Sequence, residues 1–125
     1  MRILISACLL GINTRYDGKA IKLNLKTHKL IKELLKNHEV IPVCPEQLGG
    51  LPTPRPPAMI KGKKIINQLG EDVTANFRRG AQEVLKIAQL LNIKYAYFKG
   101  NSPSCGEHGI TSKILKKHHV KLYFL

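Results

Sequence analysis

Apolar residues recur with two periods along this chain of 125 residues. Short runs of β-favouring side chains mark strands, and longer stretches repeating every three to four positions mark helices. Ile3-Leu4-Ile5 sits in the first run, residues 2–7, which has the pattern of a buried strand and stops at a turn-rich segment from Gly11 to Gly18. Over residues 24–37, Leu30, Ile31, Leu34 and Leu35 gather on one helical face while lysines fill the other, which predicts an amphipathic helix. Residues 39–43 read as a second strand, whose Pro42 lacks an amide donor and so favours an edge or a strand end.

The stretch 45–57 holds too much Pro and Gly for a helix or a central strand, and is expected to form an extended, stiff wall. Residues 59–67 read as a hairpin turning at Lys61-Gly62-Lys63. A helix capped by Asp72 or Thr74 then runs to about Leu91, with Phe77, Ala81, Val84, Leu85, Ala88 and Leu91 on its buried face. Residues 93–98 predict a buried strand, 110–117 a short helix, and 119–124 a last strand. Strands alternating with helices imply right-handed crossovers, hence an α/β fold: one three-layer α/β/α domain over residues 1–125, Rossmann-like, with a mainly parallel sheet.

Charge adds a candidate partner. Twenty-one Lys and Arg against eight Asp and Glu give a formal charge of +13, a field that draws phosphates and other anions. RNA is therefore a candidate ligand of the basic surface. Lys26, Lys29, Lys32 and Lys36 are nevertheless spread out with few aromatics between them, so no compact stacking platform for single strands is visible. No apolar stretch approaches the ~20 residues that span a bilayer, so no membrane association is expected. A cytoplasmic setting is, and there thiols stay reduced.

The chemistry concentrates in three cysteines, Cys8, Cys44 and Cys105, each placed just after a predicted strand. Parallel strands gather their carboxyl ends on one sheet edge, where ligands bind as strand order reverses. Three thiols far apart in sequence are thus expected to meet. An odd number cannot all pair within the chain, and a metal held by three protein ligands keeps one position open.

The segments around these thiols resemble the thiouracil desulfidase family. They are Ser6-Ala7-Cys8-Leu9-Leu10-Gly11, Arg15-Tyr16-Asp17-Gly18, Val43-Cys44-Pro45-Glu46-Gln47-Leu48-Gly49-Gly50-Leu51-Pro52-Thr53-Pro54-Arg55-Pro56-Pro57, Gly70-Glu71-Asp72-Val73-Thr74 and Ser102-Pro103-Ser104-Cys105-Gly106. The resemblance implies a 4Fe-4S cluster held by Cys8, Cys44 and Cys105, with the fourth iron free to take the sulfur of a thiolated nucleobase, thiouracil-like, or of a related small thioamide. Water supplies oxygen to the carbon, and sulfide leaves. Two departures stand out. Thr14 occupies a place where relatives commonly carry another cysteine, and the connection from Cys105 to the last helix is shorter than theirs.

Around such a cluster Glu46, two residues after Cys44, is the first choice for acid/base work. Ser102 and Ser104 bracket Pro103 and are expected either to orient substrate and donate to cluster sulfur or to make a local turn. Asp17 is a lesser catalytic candidate, since Asp17-Gly18 is foremost a turn signal. Tyr16 stacks on a pyrimidine or covers the core, and Arg15 or Lys19 offsets the thiolate charge. Two alternatives stand beside this reading. One is a zinc site using the same cysteines with His108 or water; the other is a noncatalytic basic module that binds RNA through its lysines.

Overall fold

The computed structural model describes residues Met1–Leu125. Four strands, β1 (Arg2–Ser6), β2 (Glu39–Val43), β5 (Tyr95–Phe98) and β6 (Lys121–Phe124), form one sheet in the order β2-β1-β5-β6. Every neighbouring pair in it is parallel. The expected hairpin forms a separate two-stranded sheet from β3 (Ala58–Lys61) and β4 (Lys64–Asn67). Gly62 turns it at φ 62°, a conformation that glycine adopts without strain. Pro42 lies in β2 at the sheet edge, as its missing donor requires.

Helices cover both faces. Leu4, Ala96 and Phe98 point to one side, where they pack with Val84, Leu85 and Ala88 of α3 (Thr74–Leu90) and Leu115 of α4 (Ile110–Lys117). Ile5 and Tyr97, one position along, point to the other and meet Ile31 of α1 (Leu25–Asn37). The period of two in the central strands therefore sorts their side chains between two helical layers. Asn24 starts α1 by accepting the Thr27 amide on Oδ1 at 2.8 Å. The expected cap of α3 is displaced: Val73 holds that position without a side-chain bond, Thr74 is the first helical residue, and Asp72, one residue further back, accepts the Thr74 amide at 2.9 Å.

Several boundaries differ from the sequence expectation. The first strand ends at Ser6, and Ala7–Leu10 form a 3₁₀ turn closed by Gly11 at φ 84°. The stretch after Cys44 is not wholly irregular, because Pro45–Leu48 form a short helix, α2. Proline there occupies the first helical position, where its missing N–H has no intrahelical partner to lose. The longest helix, α3, stops at Leu90, and Tyr95 rather than Ile93 opens β5. His119 adopts φ 67° and delays the last strand to Lys121. The chain steps from β1 outward to β2 and returns to β5 on the far side of β1, so strand order reverses between β1 and β5. No helix is long and apolar enough to cross a membrane.

Candidate active site

Beyond the carboxyl ends of β1, β2 and β5, at that reversal, lies a cavity of about 360 Å³, within the roughly 300–1,000 Å³ common for small-ligand sites. Cys8, Cys44 and Cys105 all line it, brought in by the 3₁₀ turn after β1, the residue preceding α2 and the loop after β5. None is disulfide-bonded. No three His, Cys, Asp or Glu side chains converge closely enough to hold a single metal ion. What the three thiols share is the cavity they line.

Each thiol is held by its surroundings. Cys44 Sγ donates to the Thr14 carbonyl across 3.8 Å. Cys105 is buried in the α3-side core, and Ser112 Oγ of α4 donates to its carbonyl at 2.7 Å. The short connection to α4 doubles back tightly: the Ser104 carbonyl accepts the amides of Thr111 at 3.1 Å and Ser112 at 3.4 Å. A Cβ on Gly106 or Gly109 would collide with the Ser102 or Ser104 backbone, so this compact turn requires glycine at both positions.

Burial pushes the Cys105 thiol up to about 12, reinforced by nearby Cys8 and Glu46 and opposed by hydrogen bonds from Ser6 and Ser104. Cys8 is raised too, by burial first and then by Cys44, against the pull of Lys99 and Arg15. An unfolded Cys105 would ionise near its ordinary 9.0, whereas the folded metal-free protein keeps the proton to about 12. Between these values the unfolded state binds fewer protons, so stability present below pH 9 is lost as pH rises. Melting temperatures of the metal-free protein should fall by several degrees from about pH 8 to about pH 10.5, and by less in Cys105→Ala. Equal falls in both proteins would refute this assignment of the thiol.

Glu46, in the first turn of α2, also lines the cavity. Its Oε1 accepts from Arg55 Nε at 3.2 Å, and its Oε2 accepts from Ser104 Oγ at 3.2 Å. Ser104 Oγ also stands 3.8 Å from Cys105 Sγ and shares a 3.1 Å hydrogen bond with Ser102 Oγ. Ser102 Oγ accepts the amides of Ser104 and Cys105, each at 3.2 Å. It therefore makes the local turn and lines the cavity at once. Tyr16 lines the cavity and is 40 % exposed, leaving its ring at the mouth. Arg15 sits 5.6 Å from that ring's centre.

Three sequence candidates fall elsewhere. Asp17 is not among the lining residues: its carboxylate accepts the Lys19 amide at 3.0 Å and pairs with Arg15 at 3.6 Å. It shapes the turn instead of facing the cavity. Lys19 is likewise outside the lining, whereas Lys99 lines the cavity and, with Arg15, acts on Cys8. His108 is exposed and is not among the lining residues.

Arg55, Ser6 and Lys99 were not singled out by sequence as parts of this site, apart from Ser6 and Arg55 lying within matching segments. The available signal was one arginine between two prolines, Pro54-Arg55-Pro56, in a stretch otherwise lacking cations.

Comparison with known proteins gives three results. A family model described as 2-thiouracil desulfurase matches residues 3–123. An uncharacterised protein of Bacillus subtilis (strain 168), YbbK, is 39 % identical over 114 residues, covering 83 % of this chain and 72 % of YbbK. A solved structure described as the 4Fe-4S-dependent thiouracil desulfidase TudS is similar at a TM-score of 0.85 with 35 % identity, over 98 % of this chain and 89 % of that one.

Proposed function

This chain belongs to the 2-thiouracil desulfurase family, and from that premise we propose that it is an iron-sulfur-dependent desulfidase acting on a thiolated nucleobase or a related small thioamide. The observation that carries the reading is the meeting of Cys8, Cys44 and Cys105 on one cavity. Thiolates are the soft donors that iron-sulfur iron prefers. In this reading the three cysteines hold a 4Fe-4S cluster, the cofactor of the similar TudS structure. A zinc site of three cysteines completed by His108 is disfavoured, because His108 lies outside the cavity lining.

When bound, the cluster supplies an iron without a protein ligand, a soft Lewis acid for a thiocarbonyl sulfur. The chain's own residues do the rest. Tyr16 at the mouth offers a face on which a pyrimidine stacks. Glu46 Oε2 takes a proton from the attacking water, and Ser104 Oγ, 3.2 Å away, orients that carboxylate toward the cavity. Arg15 and Lys99 offset the negative charge of the thiolates. The carbon exchanges its bond to sulfur for one to oxygen, both protons of water leave with the sulfide, and no net electrons are transferred.

Anaerobic cluster reconstitution followed by sulfide detection with thiobases and thiolated RNA tests this reading. The loaded protein is expected to be brown and to release sulfide from at least one thiobase, whereas a cluster-free control does not. A loaded protein that releases none from any of these would overturn the proposed activity. A colourless protein with stoichiometric zinc would overturn the cofactor.

A further inference from the structure

Arg55 is the most enclosed cation at the cavity, its side chain 3 % exposed against a Glu46 side chain that is 15 % exposed. A buried guanidinium is tolerated only when its donors are satisfied. Here Nη1 donates to the Pro52 carbonyl at 3.2 Å and to Thr53 Oγ1 at 2.9 Å, and Nη2 donates to the Thr14 carbonyl at 2.9 Å. Those three bonds tie together the loop that carries Arg55 and the segment that carries Tyr16. The fourth is different: Nε donates to Glu46 Oε1 at 3.2 Å and touches no loop.

A glutamate side chain has several rotatable bonds and would otherwise sample many positions around the cavity. With Oε1 taken by Arg55 and Oε2 by Ser104, the carboxylate is caught at two points from opposite sides of the site. The planar fork of arginine fixes direction as well as charge, which a lysine ammonium does not. The Thr14 carbonyl, bonded to Arg55, also accepts from Cys44 Sγ, so one guanidinium sets both the carboxylate and the acceptor facing a thiol.

We infer that Arg55 is the positioning residue of the proposed desulfidase reaction, clamping Glu46 Oε1 so that Oε2 is presented to Ser104 and the substrate cavity. The inference rests on the desulfidase reading. Arg55 lines the cavity, and in this inference it acts through Glu46.

The test is a double-mutant cycle of Arg55→Lys and Glu46→Gln in the cluster-loaded protein. Arg55→Lys should lower kcat by about 100-fold, the effect of misplacing a reacting group by about 1 Å. It should leave KM within a factor of about three and visible absorbance per protein unchanged, because a misplaced reacting group costs orientation and not uniform binding. The double variant should be no slower than Glu46→Gln alone, since both changes disable one unit. Losses that multiply in the double variant, or absorbance that falls in step with kcat, would overturn the inference.

Should Arg55→Lys fail to fold, Glu46→Asp carries the same test. It withdraws the carboxylate by one methylene while leaving the other three bonds of Arg55 in place. About 100-fold lower kcat at unchanged absorbance per protein supports positioning, and wild-type kcat overturns it. Thermal melts of the four cycle proteins without substrate give a readout independent of turnover. Non-additive melting is expected, and additive melting overturns the clamp. Wild-type protein that releases no sulfide would remove the desulfidase reading, and the melting cycle would still decide whether Arg55 holds Glu46.

Discussion

Cys44→Ser is expected to end sulfide release and to bleach the visible absorption of the loaded protein while leaving it folded. Cys44 is the residue immediately before α2, in extended conformation at φ −129° and ψ 101°, and its side chain makes no capping bond there. Serine is a favoured residue at that position, where its oxygen satisfies free amides of the first turn. The substitution therefore keeps or improves the local fold. What changes is the donor: a hard hydroxyl replaces the soft thiolate that iron prefers. Sulfide release should drop to the level of the cluster-free control, with a melting temperature within a few degrees of that of the metal-free wild type. Binding driven by the +13 charge should persist and weaken with salt, as counterion release requires. Full sulfide release from Cys44→Ser would remove that residue from the cluster and with it the proposed ligand set.

The main features of the sheet could be read from one dimension because their causes are local. Strand period and the alternation with amphipathic helices foretold a parallel α/β sheet, and the thiols followed from strands whose carboxyl ends share an edge. The failures have equally physical causes. The Pro and Gly content of residues 45–57 speaks against a helix, yet Pro45 at the first position of α2 meets no steric conflict. Asp17 has a carboxylate in a suitable segment, but its neighbours Lys19 and Arg15 satisfy it locally. Arg55 reaches residues as distant as Thr14, and such a partner exists only once the loops close on one another. Gly80 carries no hydrophobic signal, so the periodicity that marked Phe77, Ala81 and Val84 passed over it, although it lies on the same buried face.

That glycine carries the second large expected effect. α2 holds Glu46 and directly follows Cys44, but a helix of four residues, Pro45–Leu48, cannot hold its own position. It is seated on α3 by two reciprocal close approaches. A Cβ on Gly80 would land on the Pro45 carbonyl, and one on Gly49 on the Asn76 carbonyl. Asn76 Nδ2 and Arg79 Nη1 then donate to the Gly49 carbonyl at 2.9 and 3.3 Å. Intrinsic propensity alone favours Gly80→Ala, because alanine in a helix interior is better than glycine by about 1 kcal/mol. The close contact opposes it, since overfilling a packed interface costs roughly 1–3 kcal/mol. The clash is with backbone, which cannot rotate away, so α2 must lift. Lifting α2 carries Cys44 and Glu46 away from Cys8, Cys105 and Ser104 together. Gly80→Ala is therefore expected to melt several degrees lower than wild type, to take up less cluster, and to lose about 100-fold in kcat. Gln82→Ala, on the exposed side of α3, also gains helix propensity, though less, without that contact and should retain wild-type activity. If Gly80→Ala proves as stable and as active as Gln82→Ala, α2 is not seated on α3 by this contact, and the path by which α3 positions the site must lie elsewhere.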